Sequence, residues 1–127
     1  MAHWKEIKHT VDKKGKTEHY TLQLWLKFPK ESKWNDKKES PVVEISYSDR
    51  KYEYTYWIDE EKSKSWTVKP RKSCVITVNY IQRHAQVVLY SGAKSQPDYN
   101  EFTLEYCKRE AERIFVDRLS NLINQIK

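Results

Sequence analysis

Apolar and polar residues alternate along most of this chain with the two-residue period of β-strands, and only residues 98–127 change to the three- and four-residue spacing of a helix. The first unit reads as a hairpin. A face carrying Ile7 and Val11 has to meet the face carrying Leu22, Leu24, Leu26 and Phe28. Only pairings whose residue numbers sum to an odd value put both on one side. This selects Lys14-Gly15 as a two-residue turn, with Lys13 opposite Lys16, Ile7 opposite Leu22 and His9 opposite Tyr20. A three-residue loop would set His9 across from His19, a tempting metal or catalytic pair, but it would misalign the leucine face and is rejected.

Residues 29–41 show no periodicity and read as a long exposed loop whose one large apolar residue, Trp34, is expected to fold back as an anchor. Val43, Ile45 and Tyr47 then point inward from a strand over 42–48, and a turn at 49–51 predicts a hairpin with the next strand. In that next strand Tyr52, Tyr54, Tyr56 and Ile58 share the core side, while Glu53, Thr55 and Trp57 share the other. A brief strand at 66–68 is ended by Pro70, and the β-branched runs 74–80 and 86–90 make the last two strands, joined by 81–85. After a loop at 91–97, Leu104, Cys107, Ala111, Ile114, Phe115, Leu119, Leu122 and Ile126 trace the apolar stripe of an amphipathic helix. Asp98 with Glu101 three positions on resembles a capping box and places the helix start there. Glu105 with Arg109, and Arg113 with Asp117, stand four apart on its solvated side.

The pattern predicts an α+β fold: about seven antiparallel strands in sequential hairpins, forming a sheet or open barrel, with one long C-terminal helix over a face or an open end. Residues 1–127 form one domain, strand-rich over 1–97 and helical over 98–127. The element order is similar to that of the pleckstrin-homology superfold, a likeness of strand count, which would imply a pocket for an anionic ligand or lipid headgroup.

Charge adds a direction to this outline. The chain carries a formal +6, and the excess is uneven: residues 1–97 hold 19 Lys and Arg against 12 Asp and Glu, the tail 5 against 6. Such a surface attracts polyanions by steering and counterion release. With 13% aromatic residues the core is expected to be aromatic-rich. No apolar run has the length of a membrane span and the N-terminus lacks a secretory signal, so the expected location is the cytoplasm. Cys74 and Cys107 have no companions at metal-ligand spacing and read as small buried hydrophobes.

Catalytic signatures are missing from the sequence. Gly15 and Gly92 are the only glycines, so no phosphate-cradling loop can form, and no nucleophile elbow, zinc-protease helix or Cys-x-x-Cys is present. His3, His9, His19 and His84 are scattered, and His84 beside Cys74 or Cys107 is the one nucleophile–base pairing on offer. Asp59, Glu60 and Glu61 read as a solvated turn without calcium-loop spacing. No enzyme activity, metal or cofactor is therefore expected.

Basic clusters interleaved with aromatics remain as the candidate for function. Lys13, Lys14 and Lys16 crowd a hairpin tip, Lys30, Lys33, Lys37 and Lys38 surround Trp34, and Lys69, Arg71 and Lys72 follow Trp66. Trp25 with Lys27, and Trp57, project opposite the apolar rows, and if the two faces coincide they could stack on bases. The expected function is a non-enzymatic binding module contacting nucleic acid through this surface. The alternatives are a protein-interaction module, such as an inhibitor or accessory subunit, and the anionic-ligand pocket implied by the superfold likeness.

Overall fold

The computed structural model describes residues 2–12, 16–27, 39–51, 54–59, 61–79 and 85–126, leaving aside the side chains at 54–57, 66, 68 and 85. The strands are β1 (His3–Val11), β2 (Thr17–Lys27), β3 (Glu39–Arg50), β4 (Tyr54–Asp59), β5 (Lys64–Val68), β6 (Arg71–Val78) and β7 (Ala85–Tyr90), followed by α1 (Leu104–Ile126). Five strands build an open antiparallel sheet in the order β1-β2-β3-β6-β7, and β4 and β5 make a separate two-stranded sheet. The sheet does not close into a barrel, while the described order of seven strands followed by one C-terminal helix is the predicted one.

The predicted register holds in the upper half of the first hairpin, where His9 pairs with Tyr20 and Val11 with Glu18. A bulge between Glu6 and Lys8 then sets Glu6, and not Ile7, opposite Leu22, so Ile7 is left exposed. The bulge has a packing cause. It moves Trp4 opposite Leu24 and against the core, where its Nε1 donates to Glu112 Oε1 on α1 at 2.9 Å, and tryptophan buries more apolar surface than isoleucine. The opposition of Lys13 and Lys16 and the turn at Lys14-Gly15 lie outside the described residues, as does the loop at 28–38.

β3 departs from the sequential-hairpin expectation. It pairs with β2 and β6 and not with the tyrosine strand. Between those neighbours Val43, Ile45 and Tyr47 face Leu24, Leu22 and Tyr20 on one side and Val78, Ile76 and Cys74 on the other. All of these except Tyr20 are buried, and together they outweigh any local pairing. The chain between β3 and β6 instead runs out and back as the β4–β5 arm, paired from Tyr54 with Val68 to Asp59 with Lys64. Ile58, expected in the core, is 63% exposed on this arm, because no main-sheet strand lies beside it. Tyr52 and the side chains of Tyr54, Tyr56 and Trp57 lie outside what the structure describes.

Helix α1 crosses the buried face of β3 and β6, seating Cys107, Ala111 and Phe115 one turn apart, with Leu104, Ile114 and Leu119 against the same core. It begins six residues after the predicted start. Asp98 closes a turn in which its carbonyl accepts from the amides of Glu101 and Phe102, and the cap is Thr103, whose Oγ1 accepts from the Tyr106 amide at 3.1 Å. Of the two predicted ion pairs, Arg113 with Asp117 forms at 3.1 Å, whereas Glu105 meets Lys108, three residues on, and not Arg109. The stripe also outruns the sheet: Leu122 and Ile126 are exposed, with Val116 and Ile123 beside them.

Cys74 and Cys107 are fully buried where β6 meets α1. Their mutual hydrogen bond and burial push the Cys107 thiol up, so it stays protonated and inert. His84 lies outside the described residues.

At the arm-proximal end of β2, Glu18 accepts hydrogen bonds from Lys51 Nζ and from Tyr20 Oη at 2.9 Å, and meets His9 Nε2 at 3.3 Å. The Lys51 bond, helped by Tyr20 and His9, holds this carboxyl down to about 2. The folded protein therefore binds fewer protons here than the unfolded chain, and the group's stabilisation is complete above the usual 4.5 and lost as pH falls towards 2. Urea midpoints measured at pH 6 and pH 3 should fall less in Glu18→Gln than in the parent. An equal fall would show that the cluster is not coupled to folding.

Candidate functional site

Where the arm leaves the sheet, the last residue of β3 and the first of β6 stand directly opposite each other, and both are arginines: Arg50 pairs with Arg71. Like charges directly across a ladder are destabilising by themselves. The two arginines line a cavity of about 420 Å³ together with Lys69 and Pro70 from the returning side of the arm. Ser91, Gly92 and Tyr99, from the loop between β7 and α1, form the opposite wall. Among the described residues no carboxylate lines it.

Each cation is held differently. Arg50 donates from Nη2 to the Lys69 carbonyl at 2.6 Å, which clamps the arm's return strand to the end of β3. Its Nε is buried and has no hydrogen-bond partner among the described residues. Arg71 lies over the Tyr90 ring, 4.7 Å from the centroid, and Lys72 over Tyr99 at 4.4 Å. The described ion pairs involve none of Arg50, Lys69 and Arg71.

The acids nearby are already engaged. Asp49 accepts from Tyr99 Oη at 2.7 Å, and burial followed by that bond pushes the Tyr99 phenol up to about 12. Glu18 is occupied by Lys51 and Tyr20. The loop wall is equally defined: the Gly92 amide donates to Pro97 O and the Ser91 amide to Lys72 O, both at 2.8 Å, while Ser91 Oγ accepts from the Lys72 amide at 2.9 Å. Gly92 sits at φ 76°, which only glycine adopts without strain.

The predicted site residues divide between the two ends of the sheet. Lys69 and Arg71 line the cavity, Lys72 stands next to them on β6, and Lys16 is close by, its carbonyl accepting from the Lys51 amide. Trp25 and Lys27 lie at the other end, opposite Pro41 and Glu39. The eight steps from Thr17 to Trp25 along β2 span about 27 Å at the rise of an antiparallel strand. The backbone of Trp57 is on the arm, paired with Ser65, and its side chain lies outside what the structure describes. Trp25 is also covered, with Lys5 Nζ 4.1 Å from its ring centroid. Lys13, Lys14, Trp34, Lys37 and Lys38 lie outside the described residues.

Sequence reading misses Arg50, Ser91, Gly92 and Tyr99. Arg50 falls in a stretch that reads as a turn, and only the pairing of β3 with β6 shows it as the partner of Arg71. Among the described residues no group of three or more His, Cys, Asp or Glu could hold a metal ion, and no helix is long and apolar enough to cross a membrane. Comparison with protein-family models, curated proteins and solved structures finds no match to this chain.

Proposed function

We propose that this protein is a non-enzymatic binding module that holds nucleic acid at the arm-proximal end of its sheet, through phosphate contacts from Arg50, Lys69 and Arg71. The observation that carries the reading is the direct opposition of Arg50 and Arg71 beside Lys69 in a cavity without a carboxylate among the described residues. Three cations gathered this way repel one another, and a bound phosphate turns the repulsion into attraction. Lys16 and Lys72 extend the positive rim along the same end of the sheet. The arm itself is a poor phosphate binder, since Asp59 and Glu61 at its tip offset Lys62 and Lys64. Recognition is thus assigned to the base of the arm. The proposed location is the cytoplasm, where the unbridged Cys74 and Cys107 would persist as thiols.

The test is titration of a labelled single-stranded oligonucleotide at 50 and 200 mM salt. Three phosphate contacts on a single strand predict affinity falling about twentyfold over that range. Salt-independent binding, or none at 50 mM, would remove the reading. A protein-interaction module is the second reading, favoured by the exposed Val116, Leu122, Ile123 and Ile126 at the far end of α1. Light scattering across a concentration series, with and without cell extract proteins, separates the two.

A further inference from the structure

The form of the cavity narrows the kind of phosphate it suits. Four segments wall it: the end of β3, the returning side of the arm, the start of β6 and the β7–α1 loop. Its volume of about 420 Å³ lies in the range of a small-ligand site. Strand-tracking proteins instead offer a groove with successive stacking rings, and here Trp25 sits within β2 at the end of the sheet away from the cavity, while the backbone of Trp57 belongs to the separate β4–β5 arm.

Charge points the same way. An internal phosphodiester brings one negative charge and two free oxygens, whereas a phosphate monoester brings close to two charges and three acceptor oxygens at pH 7. Arg50, Lys69 and Arg71 offer three cationic side chains with no carboxylate between them among the described residues. Arg50 is oriented by its bond to the Lys69 carbonyl, and its Nε–H is a buried donor still without a partner among the described residues. Ser91 Oγ already accepts from the Lys72 amide, which leaves its proton to donate. A buried donor without a partner is costly until an acceptor arrives.

We infer that the cavity seats a phosphate monoester, the phosphorylated end of a strand, in preference to an internal phosphodiester. The inference rests on the nucleic-acid reading of the same site. It makes the protein a binder of strand ends, with the three cations around the terminal phosphate and the neighbouring rim of Lys16 and Lys72 left for the first internal phosphates.

The experiment compares ten-nucleotide deoxythymidine strands carrying a 5′-phosphate, a 3′-phosphate or hydroxyls at both ends, each labelled internally, with thymidine monophosphate as competitor. One phosphorylated end should bind about tenfold tighter than the hydroxyl-ended strand, as an added charge-assisted contact is worth. Arg71→Ala and Lys69→Ala should each shrink that ratio, with circular dichroism confirming that both variants fold. Equal affinity for all three strands would overturn the inference and leave the nucleic-acid reading standing. Binding of thymidine monophosphate with no strand bound would overturn the nucleic-acid reading and keep the monoester. No binding of any ligand would overturn both.

Discussion

Replacing Phe102 by alanine should destabilise the protein by about 3–5 kcal/mol, the range for deleting a buried aromatic ring. Phe102 is fully buried although it belongs to no strand or helix. Its ring meets Tyr47 of β3 at 6.4 Å and Tyr106 of α1 at 5.3 Å between centroids, so it fills the space where the first turn of the helix meets the sheet. The backbone of the same residue is committed as well. Its amide donates to Asp98 O at 2.9 Å and its carbonyl accepts from Tyr47 Oη at 3.2 Å. Burial pushes the Tyr47 phenol above its ordinary range, and it remains a donor throughout the physiological window. A ring enclosed between two other aromatic side chains accounts for a loss of this size. Urea denaturation followed by tryptophan fluorescence measures it, with Val88→Ala, on an exposed site of the edge strand β7, expected within about 0.5 kcal/mol of the parent. A loss below about 1 kcal/mol for Phe102→Ala, under the usual cost of a core truncation, would mean that the loop does not anchor the helix.

The second large effect is on binding. Lys69→Ala combined with Arg71→Ala should weaken oligonucleotide binding about 100-fold at low salt, two charge-assisted hydrogen bonds at about tenfold each. The slope of affinity against salt should become shallower by roughly 0.7 for each phosphate of a single strand that is no longer neutralised. Stability should change little. Arg71 stands directly opposite Arg50, so its removal relieves a like-charge pair while losing the contact with the Tyr90 ring, two effects of similar size that should leave the free protein within about 1 kcal/mol of the parent. Arg50 is the less clean choice, because it also clamps the arm through the Lys69 carbonyl. A double variant that binds as tightly as the parent would place the nucleic acid elsewhere.

The strands and the helix were legible in the sequence because period-two and period-3.6 patterns are local. The rows of Leu22 and Leu24, of Val43, Ile45 and Tyr47, and of Cys74, Ile76 and Val78 are the core rows of the sheet. Strand pairing was only partly legible. Parity fixes which residues share a face, but it does not say that β3 prefers the distant β6 to the adjacent β4, a choice made by the burial of two flanking rows. The bulge at Ile7 escaped for a related reason, since the gain from turning Trp4 inward depends on a helix more than a hundred residues away. Helix onset is not legible in the sequence because Asp98 and Glu101 satisfy the spacing of a capping box while closing a separate turn before Thr103.

The candidate site was legible in its charges and not in its geometry. Lys69, Arg71 and Lys72 stood out as a cluster, yet their partner Arg50 comes from the other side of the arm and Gly92 and Tyr99 from a loop some 20 residues further on. Interleaved tryptophans suggest stacking; Trp25 carries Lys5 over its ring at the end of the sheet away from the cavity, and the side chain of Trp57 lies outside the described residues.

The most direct measurement is an amide NMR map of the intact protein titrated with a 5′-phosphorylated deoxythymidine strand at low salt. The account predicts that the largest shifts fall on Arg50, Lys69, Arg71, Gly92 and Tyr99, the residues around one cavity at the base of the arm. Shifts centred on Trp25 and Lys27, at the opposite end of the sheet, or a spectrum unchanged at saturating strand, would contradict it.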